Sequence, residues 1–122
     1  MGELVGKKNY KEQLQGLCVV EVSGESCANC LTLMPILERL CSVRDDVRLV
    51  HVEADYSTVD LMEEWDVLRV PTILLMDDGE ICARVAGFQP EEILDIWLDA
   101  KIEERKAAKN YRRKNACKST TK

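Results

Sequence analysis

Two stretches of this chain are too continuously apolar to form strands with one wet face. Residues 17–22 (LCVVEV) and 70–76 (VPTILLM) read as strands buried on both sides, which is the condition of a sheet with helices packed above and below it. Residues 47–55 (VRLVHVEAD) form a further strand, alternating at its C-terminal end. The intervening segments have helical character. In 31–42 (LTLMPILERLCS) apolar residues fall at 31, 33, 34, 36, 37, 40 and 41, with Pro35 expected to bend the helix. Residues 57–66 (STVDLMEEWD) start with Ser/Thr and carry acidic side chains early, as helix N-termini do. Residues 7–16 (KKNYKEQLQG) read as a short helix ended by Gly16. An Asp-Gly turn and an alternating strand in 77–87 (DDGEICARVAG) make a hairpin. From Pro90 a long helix follows, its stripe of Ile93, Leu94, Trp97, Leu98 and Ile102 fading afterwards, so that its end is expected to project and fray. The order α-β-α-β-α-β-β-α predicts an α/β fold. Its mixed sheet is expected to hold parallel strands with one antiparallel pair, flanked by helices on both faces.

At 122 residues the chain is long enough for one domain with an adequate core. Its charge is unevenly placed: residues 1–100 hold 8 Lys/Arg against 20 Asp/Glu, or −12, and residues 101–122 hold 9 against 2, or +7. The domain is therefore expected over 1–104, followed by a basic helical extension with a disordered tail over 105–122. That tail has one aromatic, Tyr111, to interleave with its charges; it reads as a solvated helix end rather than a nucleic-acid contact. No stretch approaches the ~18–20 apolar residues of a membrane span. The charged residues 1–16 lack the apolar core of a signal peptide. A cytoplasmic, reducing location and a monomer are expected.

Among six cysteines, one pair has a spacing that supports metal or redox chemistry: Cys27 and Cys30 in SGESCANC. The loop leaves the C-terminal end of a buried strand and enters a helix, where open α/β sheets place their sites. A thiol at a helix N-terminus feels the dipole and unpaired N–H groups, which lower its pKa to roughly 3.5–7.5. Cys27 would hold that position, with Cys30 one turn later and more buried. Three readings stay open on the residues alone: a redox couple, half of a metal site, or two inert thiols. A tetrahedral metal needs two further ligands, and no second CxxC or CxxH is present. Cys18, Cys41 and Cys82 read as small core hydrophobes, and Cys117 lies in the tail.

Over residues 7 to about 102 the chain resembles the thioredoxin family. CANC follows the first buried strand; Glu21 lies six residues before Cys27; Pro35 interrupts the next helix; VPT (70–72) precedes a strand; and Gly87 follows the hairpin. The resemblance implies a thioredoxin-like fold with about four strands, the usual N-terminal strand being absent or reduced to residues 1–6. It implies a thiol–disulfide oxidoreductase with no bound cofactor, acting on protein disulfides and recharged by a partner reductase. Cys27 would attack and Cys30 resolve. Glu21 would handle the proton of the buried cysteine, and His51, where the family often carries a lysine, would share it as a relay. The resemblance also implies a cis Val70–Pro71 peptide. Val70, Pro71, Ser26, Gly87 and Phe88 would then border the substrate. Ser26 stands where the family usually carries tryptophan, and Ala28-Asn29 where it carries Gly-Pro. The rival reading is an interaction module of the same fold whose thiols are redox-idle or sense oxidation.

Overall fold

The computed structural model describes residues 10–120, with side chains to residue 113. The expectations for residues 1–9, including the reduced first strand and the start of the first helix, lie outside the described residues, as does the side chain of Cys117. In chain order the elements are α1 (Tyr10–Gln13), β1 (Leu17–Gly24), α2 (Ala28–Ser42), β2 (Arg48–Ala54), a 3-10 turn (Tyr56–Thr58), α3 (Val59–Glu64), β3 (Thr72–Asp77), β4 (Glu80–Ala86) and α4 (Glu91–Thr120).

The four strands form one mixed sheet in the order β2-β1-β3-β4. Its directions differ from the sequence expectation. Only β1 and β2 are parallel, while β3 is antiparallel to both β1 and β4. The helices in the two connections differ: the 15 residues of α2 span about 22 Å and return the chain to the start of the sheet, whereas the six of α3 span about 9 Å. After α3 the chain re-enters from the end where β2 finished, with Thr72 beside Val22. The hairpin is closed by Asp78 and Gly79, at φ 52° and 83°, the left-handed pair that a two-residue turn requires.

Helices cover both faces. On one, Cys18, Val20, Val22, Val50, Val52, Leu74 and Met76 pack against Tyr10, Leu14, Leu61 and Trp65. Tyr10 meets the edge of Trp65 with ring centroids 5.3 Å apart. On the other, Val19, Ile73 and Leu75 meet Leu33, Ile36, Leu37 and Leu40 of α2 and Leu94, Leu98 and Ile102 of α4. Arg44 ties the end of α2 to α4, donating from Nη2 to Asp95 (2.7 Å) and Asp99 (2.8 Å). Among the described residues no helix is long and apolar enough to cross a membrane.

The apolar docking of α4 does stop at Ile102, but ionic docking takes over. Arg105 Nε donates to Asp77 at 2.9 Å, Lys109 Nζ lies 3.0 Å from the same carboxylate, and Lys106 pairs with Asp46. The helix runs without interruption across position 104. Asp77 is only 3% exposed. Burial pushes its pKa up, but the hydrogen bonds and charges of Arg105 and Lys109 outweigh this and hold it below the usual range.

Arg105→Ala leaves that carboxylate with a half-exposed lysine as its remaining cation, and is expected to lower the unfolding free energy by about 1–3 kcal/mol. Because the folded pKa of Asp77 is depressed, its contribution is present above about pH 4 and is lost as pH falls through the folded value. Urea unfolding should therefore separate variant from parent most at neutral pH and least in acid. Equal stability at pH 7 would show that the pair holds nothing.

Candidate active site

β1 ends at Gly24, and two residues later the chain turns sharply. Ser26 adopts φ 58°, a left-handed conformation that reverses the backbone into α2. Cys27 then takes the N-cap position with extended backbone, its Sγ accepting from Cys30 N at 3.2 Å. The sulfur thus occupies the place where a Ser or Asp oxygen would satisfy an unpaired helix N–H. Cys27 and Cys30 are joined as a disulfide with Cα atoms 5.3 Å apart. Cys27 is half-buried, whereas Cys30 is only 3% exposed.

The register of β1 against β2 builds the floor of the site. Odd-numbered residues of both strands face α2 and α4: Leu17 and Val19, with Val47 just before β2 and Leu49 on it, make this face apolar far from the disulfide. Nearer the disulfide, Glu21 pairs with His51 and Ser23 with Glu53, giving two polar rungs. Glu21 is fully buried. It accepts from the Ser23 hydroxyl at Oε2, and its Oε1 lies 2.7 Å from His51 Nδ1. On the far side of the ring, His51 Nε2 lies 3.0 Å from Glu53 Oε1.

Between these rungs and the start of α2 opens a cleft of about 460 Å³, bordered by Ser23, Ser26, Cys27, Cys30, His51 and Glu53. Leu31, which is 79% exposed, and Met34 give it an apolar lip. A larger recess of about 530 Å³ lies at the opposite end of α2, by Arg44 and Lys106. Its two cations are already engaged, Arg44 with Asp99 and Lys106 with Asp46, and it holds no thiol or imidazole.

The expected site residues thus separate into two groups on either side of Cys27. Ser26, Cys27, Cys30 and His51 share the cleft, with Glu21 behind it. Val70, Pro71, Gly87 and Phe88 do not border it; they lie on the β3–β4 side. There the Val70–Pro71 peptide is cis, and Gly87, at φ 89°, donates its N–H to the Pro71 carbonyl at 2.7 Å. Phe88 is 37% exposed. Sequence reading missed Ser23, Gly24, Leu31, Met34 and Glu53. Gly24 matters by closeness: a Cβ there would come within 2.8 Å of Val70 Cγ2, and a β-branched side chain has little freedom to yield. Ser23 and Glu53 carried a usable signal, each lying two residues beyond a recognised partner on the same strand face.

The other thiols have a different environment. Burial pushes Cys41 up to about 11 and also raises Cys18 and Cys82, leaving all three protonated and poor nucleophiles. Among the described residues no cluster of His, Cys, Asp and Glu is arranged to hold a metal ion.

Comparison with known proteins agrees with this geometry. The family model described as Thioredoxin matches residues 3–100. The thioredoxin of Staphylococcus haemolyticus is 32% identical over 99 residues, covering 78% of this chain and 92% of that protein. The thioredoxin of Chlamydia pneumoniae is 30% identical over 95 residues, covering 77% and 92%. The crystal structure of Chlamydomonas reinhardtii thioredoxin f2 superposes with a TM-score of 0.68 at 26% identity, over 79% of this chain and 93% of the other.

Glu21 provides a test of the floor. Burial raises its pKa above the ordinary value, and the hydrogen bonds of Ser23 and His51 offset this only in part. Stability from such a group is complete below its unfolded pKa, about 4.3, and is lost as pH rises through the folded value. Glu21→Gln, neutral at every pH, is expected to gain stability over the parent as pH climbs from about 4 to about 8. Parallel urea-unfolding profiles for the two proteins would refute the burial argument.

Proposed function

The chain belongs to the thioredoxin family of oxidoreductases that act on protein disulfides, and we propose that Cys27 is its attacking thiol and Cys30 its resolving thiol. The observation that carries these roles is the asymmetry of the pair: Cys27 is the more exposed and caps α2 with its sulfur, while Cys30 is 3% exposed one turn later.

In the reduced protein the Cys27 thiolate attacks one sulfur of a substrate disulfide. The substrate S–S bond breaks, one substrate sulfur leaves as a thiolate and takes up a proton, and a mixed disulfide to Cys27 remains. Cys30 then gives up its proton and attacks Cys27 Sγ, expelling the second substrate thiolate. The Cys27–Cys30 disulfide forms and two electrons pass to the substrate. A partner reductase of the dithiol class returns those electrons, and no bound cofactor is required.

Glu21 and His51 act as the proton relay for Cys30. Their 2.7 Å contact on the rung beneath the cleft supports this, as do the two ring nitrogens of an imidazole, which can accept a proton on one side and donate one on the other. The cis turn at Val70 and Pro71, braced by Gly87, offers extended backbone on which a substrate segment can pair, with Ser26 and Phe88 at its margins. The redox unit spans 1–104, residues 105–122 forming a basic extension. The protein works as a monomer in the cytoplasm, where free Cys18, Cys41 and Cys82 stay reduced.

The roles are tested with a protein disulfide and an excess of a dithiol reductant. Cys27→Ser is expected to abolish turnover, and pre-reduced Cys30→Ser, mixed with the substrate once the reductant is removed, to accumulate a covalent substrate adduct visible by mass spectrometry. Turnover in the parent no higher than in Cys27→Ser would favour the interaction-module reading. For the relay, Glu21→Gln and His51→Ala should each alter the pH profile of exchange; unchanged profiles in both would dismiss it.

A further inference from the structure

Glu53 belongs to no expected site group, yet it closes a chain of contacts that runs from the core to solvent. Side-chain exposure rises along it from 0% at Glu21 to 25% at His51 and 39% at Glu53. We propose that Glu53 is the outer end of a three-member proton path, Glu21–His51–Glu53, which carries the proton released by Cys30 into the open cleft. This rests on the reading of Cys27 and Cys30 as the exchange couple.

The proton count along the chain supports the path. Each ring nitrogen of His51 faces a carboxylate oxygen, at 2.7 and 3.0 Å. At such distances each nitrogen–oxygen axis needs a hydrogen between its two acceptor atoms. A neutral imidazole supplies one. The second comes from an imidazolium or from a carboxyl, so the trio holds one proton more than a neutral ring between two carboxylates. A proton arriving at Glu21 can therefore be matched by another leaving from Glu53, with the charge shifting across the ring and no ring rotation.

The remaining geometry keeps the path single. Oε2 of Glu21 is occupied by the Ser23 hydroxyl, leaving Oε1 for the ring. The main-chain carbonyl of Glu53 accepts from Thr58 Oγ1 at 2.6 Å, which fixes the strand end carrying the side chain. The titratable groups facing His51 are Glu21 from β1, Glu53 from its own strand, and Cys27 and Cys30 from the start of α2. The other residues bordering the cleft, Ser23, Ser26, Leu31 and Met34 among them, are uncharged. Glu53 touches no reacting atom and is a positioning and proton-exit residue rather than a catalytic one.

Reaction of the reduced full-length protein with Ellman's reagent separates the steps. Attack by Cys27 releases a first thionitrobenzoate, resolution by Cys30 a second, and the Cys27→Ser protein reports the background from other thiols. Glu53→Gln is expected to slow the second release at neutral pH by about tenfold, less than the ~10²–10⁴ of a direct general base. It should also make that release accelerate with buffer concentration, a dependence absent from the parent, and Glu53→Asp should recover part of the rate. A second release in Glu53→Gln as fast as the parent's, or slowed but indifferent to buffer, overturns the path. If the second release persists in Cys30→Ser, the exchange reading itself fails, whatever Glu53 does.

Discussion

β1 is paired on both edges and covered on both faces, and the placement of the site follows from that confinement. Six of its eight residues are buried, so its backbone groups must be satisfied by the ladders to β2 and β3. Any polar side chain on it must find its partners within the protein. Glu21 meets the second demand through Ser23 and His51. Because β2 lies parallel and in register, the partner that β2 supplies to residue 21 comes from the rung at 51, and the next polar rung falls at 23 and 53. One buried carboxylate thus commits four positions, and does so at the strand end that must also launch α2.

The launch of α2 explains why Cys27 differs from the three free thiols among the described residues. Cys18, Cys41 and Cys82 sit among apolar side chains that penalise the thiolate. Cys27 sits where a helix presents unpaired N–H groups, and its sulfur already accepts one of them. Residue type is the same in all four cases; the electrostatic surroundings divide them. The sharp turn at Ser26 is what brings the sulfur to that place.

Much of this was legible in the sequence because it is encoded locally. Continuous apolar runs marked β1 and β3, Asp78-Gly79 marked the hairpin, and the CxxC at a strand-to-helix passage marked the site. Features that depend on distance between segments were not legible. The direction of β3 depends on the end from which the chain re-enters the sheet after α3. Glu53 and Ser23 gain meaning only once the β1–β2 register is known. Arg105 and Lys109 looked like a solvated helix end, since nothing near them in sequence announces Asp77, 28 residues before Arg105. Gly24 looked like loop composition, whereas its lack of a side chain admits Val70.

The neighbourhoods on the β2 and β3 sides of β1 differ in character. On the β3 side lie the buried Pro71, Val70 and the brace from Gly87 to the Pro71 carbonyl. On the β2 side lie Ser23, His51 and Glu53, with exposure rising from the buried Ser23 to 25% at His51 and 39% at Glu53. Ser26 separates them. It is small, exposed and borders the cleft, so it leaves the polar side wet where a large aromatic would have covered it. On the proposed reading, a substrate held along the β3 side would reach Cys27 while His51 and Glu53 keep their exposure at 25% and 39%. Under the proposed mechanism, covalent capture and proton release need opposite surroundings, one excluding water and one requiring it, and the turn at Ser26 would let one sulfur serve both.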